Sequence, residues 1–270
     1  MPTARSPNPL LVLVASPLLG PASWSPLADK LSSSGWETLV SVDEPEQPGQ
    51  RPFWQSTVAG VERSLREVPD DLPVALVGHS GAGTLLPAAG LTARQPVVGC
   101  LLVDAGLPAP GRSRLESMAD EGPGGAAFAI ELAATLEAGG RYPEWTDADL
   151  APLIPDAARR HQLLAELRPR GRDFWTEPLP IASARPEAPY AYLQFSESYK
   201  TAAQRAKSMG WPVRHLPAGH FHHLVDEQAV ADALIWLLAE IISSRAPQLR
   251  PTAFSRERGR LALSKSFGRR

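Results

Sequence analysis

Cysteine is nearly absent from this chain. Cys100 stands alone, which excludes an intramolecular disulfide and any zinc cluster built on cysteine spacing. It lies within the apolar run Val97–Val103 and reads as a buried small hydrophobe rather than a nucleophile. Net charge is scarce as well: 27 Lys and Arg against 29 Asp and Glu leave −2, so the whole-molecule field makes no case for a nucleic-acid or membrane partner. Long apolar runs are missing. The N-terminal stretch from Leu10 to Ala15, with only Arg5 ahead of it, is short for a signal peptide and far too short to span a bilayer. A buried strand explains it better, and a cytoplasmic location is the expectation. Nucleotide loops are lacking too. Gly81-Ala82-Gly83 opens a G-x-G-x-x-G pattern, but Leu86 occupies its last position, and no G-x-x-x-x-G-K-[ST] occurs. No cofactor and no resident metal are expected.

What the chain does have is alternation. Short apolar runs at Leu10–Ala15, Glu37–Val42, Val74–Gly78, Val97–Val103, Tyr190–Phe195 and Val213–Leu216 read as strands separated by helical patterns. That order predicts an α/β fold with a mostly parallel central sheet covered by helices on both faces. Ser23 is placed to cap a helix carrying Trp24, Leu27 and Leu31. Trp54, Val58, Val61, Leu65 and Val68 recur at helical spacing and predict an amphipathic helix stopped by Pro69. A last apolar stripe runs through Val230, Leu234, Leu237, Leu238 and Ile241. Between about Pro108 and Pro189 no good strand appears, only Pro and Gly punctuation around two helical stretches, Ala126–Ala138 and Asp156–Arg168. This segment reads as a helical lid inserted after the fourth strand into a single domain over 1–244. Beyond it, residues 245–270 hold eight Arg or Lys and one Glu. Such a basic tail is expected to be a flexible, solvated extension, with a docking segment for an acidic partner as the alternative.

The most informative stretch is Val74–Gly83, VALVGHSGAG. A β-prone run that breaks at small-x-Ser-x-small, ahead of helix-compatible sequence, raises a nucleophilic serine above a sheet on a positive-φ turn. Gly78 and Ala82 supply the small flanks around Ser80, with Ala where Gly is commoner. A serine hydroxyl is a poor nucleophile without an adjacent base and a group that orients that base. Pro217-Ala218-Gly219-His220-Phe221-His222-His223 follows the last strand and precedes the last helix, where such a base belongs.

With these residues the chain resembles the α/β-hydrolase fold superfamily over roughly residues 8–244. The resemblance rests on LVLVASPLLGPASW (11–24), GHSGAG (78–83), LLVDAGLP (101–108) and AGHFHHLVDEQAVADAL (218–234). It implies a catalytic triad in the chain order Ser, acid, His. The nucleophile is then Ser80 and the base His220, with His222 and His223 as loop or pocket residues. The acid has two candidates. The commoner family position follows the strand Tyr190–Phe195, but there the chain reads Ser196-Glu197-Ser198-Tyr199-Lys200, with Tyr199 where aspartate is expected. Asp104, ending the run Leu101-Leu102-Val103, matches the other family position and is favoured over Glu197. The resemblance assigns the oxyanion donors to the backbone N–H groups of Gly81 and Leu18, since Pro17 in the loop after the first strand has none.

The implied activity is that of a serine hydrolase or acyltransferase acting on an ester, thioester or amide through an acyl-enzyme. Its partner would be a small-molecule or peptide acyl substrate, including one bound to a carrier. Epoxide hydrolases and haloalkane dehalogenases of this fold carry aspartate at the elbow, and Ser80 argues against both. Two alternatives from other classes stay open: a triad-bearing lyase or cyclase, and a non-catalytic ligand-binding protein. Phe128, Trp145, Phe174 and Trp175 in the lid read as packing residues that could also wall an apolar acyl pocket. Oligomeric state is not encoded in any of these features.

Overall fold

Residues 8–43, 51–181 and 188–245 are described by a computed structural model of the chain. Its centre is a six-stranded sheet of β1 (Leu10–Val14), β2 (Thr38–Ser41), β3 (Val74–His79), β4 (Val97–Val103), β5 (Tyr190–Gln194) and β6 (Val213–His215). The strands lie in the order β2-β1-β3-β4-β5-β6. Every pairing is parallel, from Leu11 opposite Thr38 at one edge to Gln194 opposite His215 at the other. Each strand coincides with an apolar run in the sequence, to within a residue or two at the ends.

Period-two geometry divides these runs between two cores. Leu11, Leu13, Ala75, Val77, Leu101, Val103, Ala191 and Leu193 face one side, where they meet α1 (Ser25–Ser33) and α10 (Glu227–Arg245). Leu10, Val12, Val14, Val74, Leu76, Cys100, Leu102, Tyr190 and Tyr192 face the other, against α2 (Trp54–Ser64), α3 (Leu86–Thr92) and α9 (Lys200–Ser208). Strands buried on both faces must be apolar at nearly every position, which is why these runs do not alternate. Cys100 is fully buried in the second core, and burial pushes its thiol up to about 12, so it stays protonated.

Between β4 and β5 the described residues form α4 (Arg114–Ala119), α5 (Gly122–Glu137), α6 (Asp147–Leu150), α7 (Ala157–Ala165) and α8 (Arg172–Thr176). Two isolated antiparallel bridges, Ser113 with Pro178 and Tyr142 with Arg170, tie this segment to itself. Asp156 caps α7, accepting from the Ala158 and Arg159 N–H groups. The segment packs on the rest of the molecule at several places. Leu150, Ile154 and Leu163 bury against Leu19, Phe221 and Leu224. The buried Arg114–Glu177 pair reaches the start of α2, where Glu177 accepts the Phe53 and Trp54 N–H groups at 2.7 and 3.2 Å.

Two local expectations are corrected. Ser23 does not cap α1. Its hydroxyl donates to the Gly20 carbonyl at 2.7 Å, and Pro21–Ser23 form a 3-10 turn running directly into a helix that starts at Ser25. The second helix ends at Ser64 rather than at Val68. Its last amides, Arg66 and Val68, bond back only three residues, because a chain approaching Pro69 tightens and leaves the α conformation. The basic tail, from residue 246 onward, lies outside the described residues.

Candidate active site

All the site residues read from the sequence sit at the C-terminal edge of the parallel sheet. That edge is where an open α/β sheet presents its loops to a ligand. Ser80 follows β3 with φ +56°, one of two positive-φ non-glycine residues among those described. The turn is tight enough to explain its flanks. A Cβ added at Gly78 would come within 2.9 Å of Leu86 Cδ2 and 3.2 Å of the Ala82 backbone. At Gly83 it would meet Ala105 Cβ at 2.6 Å. Ala82 is fully buried and its methyl is accommodated, so the departure from G-x-S-x-G carries no steric conflict.

Asp104 is the second positive-φ residue, at +41°, and is wholly buried. An isolated buried carboxylate is strongly disfavoured unless its oxygens are satisfied. Here Oδ1 accepts the Phe195 and Ser196 N–H groups at 2.8 and 2.9 Å. Oδ2 accepts the Ser196 hydroxyl at 2.7 Å and His220 Nδ1 at 2.8 Å. Glu197 lies elsewhere. It is exposed and pairs with Lys200 at 3.1 Å, one helical turn along the surface. The structure therefore brings Asp104 to His220 and leaves Glu197 out. Ser196, which orients the carboxylate, has no motif of its own in the sequence. Its only signal is its place directly after β5, beside the end of β4.

With Asp104 accepting at Nδ1, His220 carries its proton there and keeps the Nε2 lone pair available. Ser80 Oγ meets the Tyr199 hydroxyl, at 3.5 Å, and no hydrogen bond between Ser80 and His220 is present among the described residues. Each side chain instead has its own partner, Tyr199 for Ser80 and Asp104 for His220. Tyr199 bridges them, because its ring also stacks on His220 with centroids 5.2 Å apart and planes at 16°.

Below the site lies a cluster of imidazoles. His79, inside the elbow, packs against His220 at 4.4 Å and His223 at 4.2 Å between centroids. Its Nε2 is 3.0 Å from the His220 carbonyl oxygen. Burial, then the neighbouring imidazoles, holds His79 well below its ordinary pKa. Burial, then His220, lowers His223 to about 3. Both are therefore neutral near pH 7 and place no fixed positive charge beneath His220. Among the described residues no three His, Cys, Asp or Glu side chains are grouped to hold a metal ion.

Leu18 and Gly81 approach from the opposite side. A Cβ at Gly81 would lie 3.5 Å from both Pro17 Cδ and Ser16 Oγ, so the loop after β1 packs directly on the elbow. Gly81 is second in the 3-10 turn Ser80–Leu85, where an N–H has no acceptor within the turn. The Leu18 N–H makes only a long 3.4 Å contact to Ser16 Oγ. The helical segment clamps the loop from behind: the Arg168 N–H donates to the Leu18 carbonyl at 2.9 Å and Arg170 Nη2 to that of Pro17 at 3.2 Å. Of the four aromatic residues noted in that segment, Phe174 and Trp175 are buried packing. Trp145 sits edge-on against Phe221, the residue after His220, at 5.6 Å.

The family model described as the alpha/beta hydrolase family matches residues 11–233. Among solved structures, the chain is similar to an extracellular alpha/beta-hydrolase from a Paenibacillus species, at 14% identity and a TM-score of 0.66, over 85% of this chain and 99% of that one. It is also similar to tomato methylketone synthase I, at 14% identity and a TM-score of 0.65, over 87% of this chain and 99% of that one. A pyrethroid hydrolase from Sphingobium faniae matches at 18% identity and a TM-score of 0.61, over 88% of this chain and 99% of that one. At such identities the likeness establishes the fold alone. No curated protein sequence matches the chain. No helix among the described residues is long and apolar enough to cross a membrane.

Proposed function

The chain belongs to the alpha/beta hydrolase family, and from that premise we propose that it is a serine hydrolase working through an acyl-enzyme on Ser80. The observation that carries the reading is the 2.8 Å bond from His220 Nδ1 to the buried Asp104 carboxylate, beside a serine held at φ +56°. An acceptor at Nδ1 directs the basic lone pair of Nε2 outward, toward the serine. His220 takes the Ser80 proton as Oγ attacks the carbonyl carbon of an ester, thioester or amide. The developing oxyanion lies between the N–H groups of Leu18 and Gly81, a contribution of about 3 kcal/mol per donor. Collapse of the intermediate breaks the bond to the leaving group, which takes the proton from His220. Water then releases the acid. An amine, thiol or hydroxyl in its place would make the same acyl-enzyme a transferase.

We read the segment from about 108 to 189 as a lid over one domain spanning 1–244. Support comes from its contacts with Phe221 and Leu224 on one side and with the Leu18 loop on the other. The partner is a small-molecule or peptide acyl substrate, free or carrier-bound.

Intact-mass analysis after treatment with a fluorophosphonate probe tests the reading. One adduct is expected on the wild type, none on Ser80→Ala, and slow labelling on Asp104→Asn. A wild type that resists both this probe and a smaller sulfonyl fluoride would overturn it.

A further inference from the structure

Tyr199 stands where many relatives of this fold would place the acid, yet here the acid comes from the end of β4. That leaves a phenol at the reacting centre with no role in the triad. Its ring lies nearly parallel to His220, and its hydroxyl is 3.5 Å from Ser80 Oγ. The residue is partly buried, and burial raises its phenol above the ordinary tyrosine value, so it is a neutral donor near pH 7. It therefore cannot serve as a base. A phenol beside Oγ can donate a hydrogen bond to an oxygen that shares the tetrahedral carbon with it.

Sheet order decides which oxygen that is. The Leu18 loop follows β1, on one side of β3, and packs against Gly81. Asp104 and Tyr199 follow β4 and β5, on the other side. The oxyanion and the Tyr199 hydroxyl thus lie on opposite sides of Ser80. The leaving group departs on the Tyr199 side, because it must be protonated by the imidazole on which Tyr199 stacks.

We propose that Tyr199 is a catalytic hydrogen-bond donor to the leaving-group oxygen, making the site selective for oxygen esters over thioesters. This rests on Ser80 being the nucleophile. In the step concerned, the C–O bond to the alcohol breaks as the carbonyl re-forms, and the alkoxide oxygen takes the proton from His220 Nε2. Tyr199 keeps its own proton and stabilises the charge on that oxygen through its O–H. A thiolate leaving group is a weak acceptor and gains little from the same phenol.

Tyr199→Phe preserves the ring on His220 and removes only the hydroxyl. The measurement is kcat/KM of wild type and variant on matched pairs of ethyl esters and S-ethyl thioesters of straight-chain acids. The expected result is a loss of roughly ten- to a hundred-fold on the oxygen esters. On the thioesters the rates should stay within about three-fold, because sulfur accepts hydrogen bonds poorly. An equal loss on both would show that Tyr199 merely packs against His220, and no loss on either would show that it is idle. A wild type faster on the thioesters would overturn the selectivity. Active-site labelling of wild-type Ser80 separates the two levels: without an adduct from either the fluorophosphonate or the smaller sulfonyl fluoride the Ser80 reading itself falls, whereas with one these outcomes bear on Tyr199 alone.

Discussion

Asp104→Asn is the most informative substitution, because the structure dictates how the new amide must sit. In the wild type Oδ1 accepts two backbone N–H groups, from Phe195 and Ser196, at 2.8 and 2.9 Å. An amide NH2 cannot face two donors, so the carbonyl oxygen of the substituted side chain takes that place and the NH2 falls at the Oδ2 position. There it points at His220 Nδ1, which in the wild type lies 2.8 Å away. The amide donates, Nδ1 must accept, and the ring proton moves to Nε2. His220 then presents an N–H to Ser80 where it needs a lone pair. Inverting the tautomer in this way is worth about 10⁴ in kcat in a serine protease triad, roughly 5.5 kcal/mol at 1.36 kcal/mol per decade. Stability should suffer far less. The two backbone bonds survive in neutral form, and the loss is the difference between charge-assisted and neutral hydrogen bonds, about 1–2 kcal/mol. The backbone adds no penalty, since Asn tolerates the φ of +41° better than other residues that bear a Cβ. Asp104→Ala would confound both effects and is the poorer test. The assay is kcat on a turned-over ester beside the urea midpoint of each variant. A kcat within about ten-fold of wild type, in a folded Asp104→Asn protein, would refute the tautomer argument.

Glu197→Gln serves as its counterpart: an exposed carboxylate paired with Lys200 should leave kcat within about two-fold of wild type, as expected for a surface pair. Glu177→Ala should cost about 3–5 kcal/mol in chemical denaturation, because it strands the buried Arg114 guanidinium and removes the acceptor of two α2 amides. Lowering pH should unfold the protein through its buried imidazoles. His223 binds its proton at about 3 when folded and about 6.5 when unfolded, so stability is fully present above the latter value and falls as pH drops between the two. His223→Gln should flatten the measured slope by about 1.4 kcal/mol per pH unit across that window. Gly83→Ala should lower the thermal midpoint, since its methyl would sit 2.6 Å from Ala105 Cβ in a core where overpacking costs about 1–3 kcal/mol.

The inner strands β1, β3, β4 and β5 were legible because burial on both faces demands continuous apolar runs, whereas the edge strands β2 and β6 are shorter and only partly buried. The elbow was legible for a different reason. Its geometry admits only small residues at fixed offsets from Ser80, and that constraint is written locally. Helix ends were less so. Ser23 has the right chemistry for a cap but is absorbed into a preceding turn, and the apolar stripe through Leu65 and Val68 outlasts the helix that carries its first half.

What the sequence determined by itself was the turn that carries Ser80, the loop that carries His220 and the order of the strands along the chain. Each depends on contacts between residues close in sequence or on a periodicity that local chemistry imposes. Which carboxylate reaches His220 was decided only in three dimensions. Asp104 is 116 positions from His220 and Glu197 is 23, yet the distant residue makes the bond. The parallel pairing of β4 with β5 brings the end of β4 beside the Phe195 and Ser196 amides, which point inward and satisfy a buried charge. Glu197 begins a turn whose side chain faces water. The place of Tyr199 over the imidazole has the same origin, since a stacked ring and a shared contact with Ser80 arise from three loops meeting at one sheet edge.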